Sequence, residues 1–352
     1  MAKDEAILEP ELPIVDAHHH LWFQSQSTLD ALDREDDELG PLSQNYSLHP
    51  RYLFDELMAD ATSGHNVVAT VYVEVHSMYR RSGPDRLRSV GEVEFANGMA
   101  AMADSGTFGE PKLCAGIVGG ADLRQGAAVR ELLEAHIAAG GGRYRGIRAA
   151  GIACDARLPK LSAAIGSRPG TMSDPTFREG FAQLGPLGLS CDIFLFEPQI
   201  AELKDLARAF PDTQIILNHV GMPTGLGGFK GTLGERFPIW RDAIRAVAEH
   251  PNIAVKLGGL GNAMCGFPEA GRPEATGSTE LAEAWRPYIE TCIEAFGPDR
   301  SMFESNFPVD GVTARYLVVW NTFKRITAGA SADEKAALYA GTAKRIYRLD
   351  LP

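Results

Sequence analysis

Long apolar runs are missing from this sequence. No stretch approaches the roughly 18 consecutive apolar residues of a membrane-crossing helix, and Met1 to Pro13 is acidic and polar rather than a basic start leading into an apolar segment. The expectation is a cytoplasmic protein with no membrane partner. Cysteine is scarce: Cys114, Cys154, Cys191, Cys265 and Cys292 are odd in number, far apart and never in a Cys-x-x-Cys pair, which argues against a disulfide framework or zinc knuckle. Positive charge is in deficit, with 34 Lys and Arg against 46 Asp and Glu for a formal net charge of -12, so nucleic acid is not an expected partner. No Gly-x-Gly-x-x-Gly follows the first strand, which removes the dinucleotide-binding form of an open α/β sheet. Repeats and low-complexity tracts are absent too, and no boundary divides the chain.

What remains is 352 residues of ordinary globular composition, 45% hydrophobic and 23% charged, enough to bury one large core. Short β-branched runs alternate with stretches of helical apolar spacing, the mark of repeated βα units on a parallel sheet. Eight strands are predicted, at Ile14–His20, Val67–Val75, Leu113–Val118, Tyr144–Ala149, Leu189–Phe196, Gln214–His219, Ile253–Leu257 and Ser301–Asn306. Amphipathic segments such as Ala128–Ala138, Gln199–Ala209, Trp240–Glu249 and Tyr288–Ala295 lie between them. The pattern predicts an α/β fold, a (β/α)8 TIM barrel forming a single domain over residues 13–352 behind a loose tail, residues 1–12. Long segments rich in Gly, Pro, Ser and charge follow strand C-termini at Gln24–Pro50, Met78–Val90, Ala150–Asp174, Gly221–Pro238 and Gly258–Glu280. In a barrel that end carries the chemistry.

Polar residues gather at the same strand ends. Residues two apart on a strand share a face, so His18 and His20 project together while His19 points away, and such a pair can hold a divalent ion or a substrate. His219, in Asn218-His219-Val220-Gly221, enters the same mouth from the sixth strand, to ligate metal, donate to a carbonyl or stabilise an oxyanion. Asn306 faces the mouth from the eighth strand. A neutral amide positions water or substrate but abstracts no proton, so Asp310, four residues later, is a candidate for the missing carboxylate. Glu74 and His76 repeat the His18/His20 spacing on strand two. Arg148 and Lys256 are the cations for an anionic substrate, one a bidentate clamp and one a point charge; the alternative pairs them with Glu74, Asp192 or Glu197.

Three motifs, Val15-Asp16-Ala17-His18-His19-His20-Leu21-Trp22, Asn218-His219-Val220-Gly221-Met222-Pro223 and Phe303-Glu304-Ser305-Asn306-Phe307-Pro308, occur in an order and spacing that resembles the amidohydrolase superfamily, specifically its amidohydrolase-2 branch. The resemblance covers roughly Pro13 to Leu349 and implies a barrel acting either as a lactonase, on sugar, pyrone or muconate lactones, or as a non-oxidative decarboxylase of aromatic acids. It also implies a metal site completed by a histidine on strand five and an aspartate on strand eight. Here Leu189 to Phe196 contains no histidine, and the aspartate position reads Asn306. Loss of the first is familiar among lactonases, some of which resemble metal-independent hydrolases. Loss of the second removes the residue that serves that group as general base.

The resulting expectation is a hydrolase opening a lactone or similar cyclic ester of an anionic or polyhydroxy small molecule. His18, His20 and His219 polarise the carbonyl, Arg148, Lys256 and Glu74 hold the substrate, and Asp310, His76 or Glu74 activates water beside Asn306. One divalent metal, Zn or Mn, on His18, His20 and His219 is the metal-bound version; the metal-independent version is favoured. The alternatives are a decarboxylase, which needs no water-activating base, and a non-catalytic binding barrel. A homo-oligomer is compatible with the chain.

Overall fold

The expected βα alternation folds as one closed unit. In the computed structural model, which describes residues 5–32, 35–267 and 273–351, eight strands form one sheet in chain order with every neighbouring pair parallel. They are Ile14–His19 (β1), Val67–Val73 (β2), Lys112–Ala121 (β3), Tyr144–Ala149 (β4), Ser190–Ile193 (β5), Ile215–Leu217 (β6), Ile253–Leu257 (β7) and Ser301–Phe303 (β8). Around them run Phe54–Ala61 (α1), Val90–Asp104 (α2), Val129–Ala139 (α3), Pro175–Phe181 (α4), Leu203–Ala209 (α5), Leu233–Ala248 (α6), Ser278–Phe296 (α7) and Tyr316–Ile326 (α8). The sheet closes between β1 and the end of β8: His19 pairs with Phe307, the Asn306 N–H donates to the His18 carbonyl at 2.9 Å, and the His20 N–H donates to the Phe307 carbonyl at 2.7 Å. Asp16 reinforces the seam by accepting from the Ser305 N–H at 2.8 Å, the Ser305 hydroxyl at 2.6 Å and the Tyr316 hydroxyl of α8 at 3.0 Å. This is the (β/α)8 barrel that the sequence predicts.

An apolar layer, mostly Val and Ala from the strands, fills the inside of the barrel: Val15, Ala17, Ala69, Val71, Val73, Val118, Ile216, Ala254 and Met302 pack with Ala343, Ile346, Tyr347 and Leu349 of the C-terminal segment. Bulkier groups, including Tyr72, Ile147, Phe181, Leu217, Trp240, Trp285 and Phe323, belong to the larger core between sheet and helices. Residues 5–12 lie against α7 and α8, where Glu5 accepts from the Ser278 N–H at 2.7 Å and Lys324 donates to the Leu8 and Glu9 carbonyls at 2.8 and 2.9 Å. Residues 1–4 of the expected tail lie outside the described residues. Among the described residues no helix is long and apolar enough to cross a membrane.

Two differences from the sequence reading concern element ends. Strands β2, β6 and β8 stop two or three residues early, because His76, His219 and Asn306 adopt left-handed φ values of 59°, 56° and 53° and leave the ladder, and β5 also ends three residues early, at Ile193. Helices α6 and α7 begin well upstream of the predicted Trp240 and Tyr288 and run through Pro238 and Pro287. Their buried faces, with Trp240 and Ile244 on one and Leu281, Trp285 and Ile289 on the other, outweigh one lost backbone bond each.

Candidate active site

Above this apolar layer the inward side chains turn polar: Asp192 on β5, Lys256 on β7, His18 on β1 and Glu304 just past β8 have no exposed surface. Lys256 Nζ lies 2.7 Å from Asp192 Oδ1 and 3.1 Å from His18 Nδ1, and the Tyr347 hydroxyl donates to both Asp192 oxygens at 2.9 and 3.1 Å. Removing one partner of such a buried pair costs about 3–5 kcal/mol, against about 1 kcal/mol or less for an exposed pair. Lys256, expected beside an anionic substrate, is instead committed to Asp192 below the cavity.

Glu304 was missed by the sequence analysis. Its Oε1 is 2.7 Å from His219 Nδ1 and accepts the His219 N–H at 3.2 Å, while its Oε2 is 2.9 Å from His18 Nδ1. A carboxylate is satisfied by donors, so His219 carries its proton on Nδ1 and keeps Nε2 as a free acceptor. The available signal was parity: Glu304 and Asn306 are two apart in the predicted eighth strand, which sets a carboxylate one inward step below the amide. Glycines after β7 make the room. A Cβ on Gly258 would fall 2.5 Å from Glu304 Cγ, one on Gly259 2.4 Å from His219 Cγ, and one on Gly261 2.8 Å from Asp310 Cβ.

His20 donates from Nδ1 to the Val73 carbonyl at 2.8 Å, and its Nε2 lies 3.1 Å from His18 Nε2. Burial, aided by Lys256 for His18 and Arg148 for His20, holds both imidazoles well below their usual range, so both are neutral. Donor atoms of His18, His219 and Glu304 all lie within 4.8 Å of one another, which brings together two of the three expected metal-binding histidines and adds Glu304 where His20 was expected. Glu304 reaches both rings through Nδ1, as an orienting carboxylate does from behind a metal-binding histidine. The Nε2 atoms of His18 and His20, 3.1 Å apart, have the spacing of two nitrogens about 2.1 Å from a shared zinc, with Glu304 behind His18 rather than on the ion. These residues fit one divalent ion.

A cavity of about 230 Å³ opens at the C-terminal ends of the strands, with apolar walls from Trp22, Tyr46, Phe194 and Met264. Of the expected site residues it is lined by His20, Glu74, His76, Arg148, His219 and Asn306; His18, Lys256 and Asp310 are not on its wall. Arg148 Nε donates to Glu74 Oε1 at 2.7 Å and its Nη2 to the Glu74 carbonyl. Burial alone would raise the Glu74 carboxyl, but Arg148 and His76 outweigh it and hold it below its usual value. His76 is mostly exposed, with Nδ1 3.3 Å from Glu74 Oε2. Its turn is pinned by buried Glu92, whose Oε1 accepts from the Val75 and Ser77 N–H groups at 2.8 and 2.9 Å. Asp310, expected as a base, accepts from Asn306 Nδ2 at 2.7 Å and from the Gly261 N–H at 2.9 Å, and burial pushes its carboxyl well up. It orients Asn306 from outside the cavity. The Oδ1 atoms of Asn306 and Asn45 belong to cavity-lining residues and are buried without a partner.

Known proteins share this architecture. The pattern that defines the amidohydrolase family matches residues 15–349. A protein of Sinorhizobium fredii named uncharacterized protein y4mH is 34% identical over 343 residues, covering 96% of this chain and 99% of the relative. The L-fucono-1,5-lactonase of Burkholderia multivorans is 31% identical over 186 residues, 51% of this chain and 58% of the relative. Among solved structures, an amidohydrolase from Burkholderia multivorans with bound zinc aligns at a TM-score of 0.69 and 24% identity, covering 96% of this chain and 99% of the other.

Proposed function

We propose that this protein, which belongs to the amidohydrolase family over residues 15–349, hydrolyses the ring ester of a lactone bearing several hydroxyl groups. The observation that carries the reading is His219: Glu304 holds its Nδ1 at 2.7 Å, and the ring lines the cavity with Nε2 free to accept a proton. Water gives its proton to His219 Nε2 as its oxygen adds to the lactone carbonyl carbon. The same proton then passes to the ring oxygen as the C–O bond breaks, leaving a hydroxy acid. Glu304 steadies the imidazolium between the two steps, and Arg148 faces the developing oxyanion. His18 and His20 would hold a divalent ion through Nε2, and that ion would supply Lewis-acid polarisation of the carbonyl.

The choice of a polyhydroxy ring over an aromatic acid rests on Asn45 Oδ1 and Asn306 Oδ1, unpartnered acceptors on the cavity wall that hydroxyl groups satisfy and a carboxylate does not; the Ser167 hydroxyl, also unpartnered there, serves either ligand. Among the described residues, the one guanidinium on the cavity wall, Arg148, has its charge balanced by Glu74, so the wall offers no net cation for a permanently charged carboxylate. The lactonase named above lends support from outside the chain. A panel of five- and six-membered aldonolactones, followed by proton release, tests the reading. We expect turnover of at least one member and a drop of about 10²–10⁴ in kcat for His219→Ala. Full turnover by that variant, or release of CO2 from aromatic acids with every lactone inert, would refute the assignment.

A further inference from the structure

We infer that Lys256 and Glu304 compete for one ring nitrogen of His18, and that this competition sets the affinity of the His18–His20 pair for a divalent ion. The argument begins with His20. Its Nδ1 lies 2.8 Å from the Val73 carbonyl, which only accepts, so the proton sits on Nδ1 and Nε2 is a lone pair. That lone pair is 3.1 Å from His18 Nε2.

Neutral His18 then has two arrangements. In the first its proton is on Nε2 and donates to His20, while Nδ1 is bare and accepts from Lys256 Nζ at 3.1 Å. Every histidine nitrogen of the pair is satisfied, but Glu304 Oε2 stands 2.9 Å from a bare nitrogen with no donor, and it is among the buried acceptors lacking a hydrogen bond. In the second the proton is on Nδ1 and donates to Glu304 Oε2, while Lys256 keeps Asp192 at 2.7 Å. The two Nε2 atoms then face each other lone pair to lone pair, which only a positive centre stabilises. His219 is the same in both, donating from Nδ1 to Glu304 Oε1 at 2.7 Å. The first arrangement refuses a metal and the second accepts one. Passing between them moves one proton across one ring and leaves the net charge unchanged.

Two substitutions push the balance in opposite directions. Glu304→Gln keeps an oxygen for His219 and offers an amide N–H to His18 Nδ1, which locks the first arrangement. Lys256→Met combined with Asp192→Asn removes the competing donor without leaving a lone buried charge, and the Tyr347 hydroxyl retains an acceptor at 192, so the second arrangement prevails.

Long-range ¹H–¹⁵N spectra of chelator-treated protein labelled at histidine report which ring nitrogen of His18 is protonated, with its signals assigned by their loss in His18→Asn. Calorimetry with zinc chloride reads the affinity. We expect the wild-type signal to change from protonated Nε2 to protonated Nδ1 as zinc is added. Zinc should bind about tenfold or more weakly to Glu304→Gln and about tenfold or more tightly to the double variant. A His18 tautomer indifferent to saturating zinc overturns the inference, as does a shift of both variants in the same direction or no shift in either. The wild-type spectra and Glu304→Gln decide the matter even if the double variant does not fold. Lactone turnover plays no part in these readings, so failure of the proposed reaction leaves them intact.

Discussion

Asn306 and Asp310 work as one unit in which the carboxylate is the anchor and the amide is the working end. Asp310 is fixed by the Gly261 N–H at 2.9 Å and holds Asn306 Nδ2 at 2.7 Å, which leaves Asn306 Oδ1 for a ligand. Asn306→Asp therefore should not restore a base. It removes the donor to Asp310 and sets two buried carboxylates against each other, so we expect a loss of about 1–3 kcal/mol in urea unfolding at neutral pH. Unchanged stability would show that this contact does not hold Asp310. The basic group proposed for the reaction is His219, and Glu304 makes it so by fixing the tautomer. At this scale the sequence was legible by residue type but not by role. His20, Glu74, His76, Arg148, His219 and Asn306 were all picked out and all line the cavity, whereas Glu304 passed unremarked inside an otherwise ordinary strand.

Among the elements, the end of β7 has the largest share in shaping the site. Gly258 lets Glu304 approach, and Gly259 stands at a φ of 69° with the His219 ring in the place of a side chain. Gly259→Ala both strains the backbone and drives a methyl group into the imidazole. We expect a loss of about 1–3 kcal/mol together with a fall in kcat like that of His219→Ala, measured by thermal melting and lactone turnover. Wild-type kcat in a folded variant would mean that the ring position does not matter. Strand centres were legible because parallel strands buried on both faces read as apolar β-branched runs. Strand ends were not, because the residues that reach the mouth leave the ladder through left-handed backbone, which the sequence does not mark at His76, His219 or Asn306. Glu92 shows the same limit: it lies on α2 yet fixes the turn after β2 through backbone N–H groups.

Taken whole, the molecule keeps many imidazoles neutral inside its layers. Burial lowers His19 to about 3, His136 to about 4 and His65 to about 4, the last helped by Lys324. Unfolded histidine titrates near 6.5, so the native state binds fewer protons below that pH. The stabilisation is complete above about pH 6.5 and is lost as pH falls toward the folded values. Asp16 and Asp60, raised by burial to about 6, act in the opposite sense over the same window, so the imidazole contribution is read by difference. From pH 7 down to pH 4 the urea midpoint of the wild type should fall relative to that of His136→Gln, and a constant difference would contradict burial of that ring as a neutral group. The barrel itself, its eight βα units and the end that carries the site were determined by the sequence alone, because apolar periodicity and strand–helix alternation are local properties. Which charges meet was decided only by closure of the sheet. It brought Lys256 to Asp192 across β7 and β5, and Glu304 to His18 and His219 from three different strands. Such pairings depend on inward parity and depth along the barrel axis, and those are set by strand stagger and by the glycines that let side chains approach, not by any spacing along the chain.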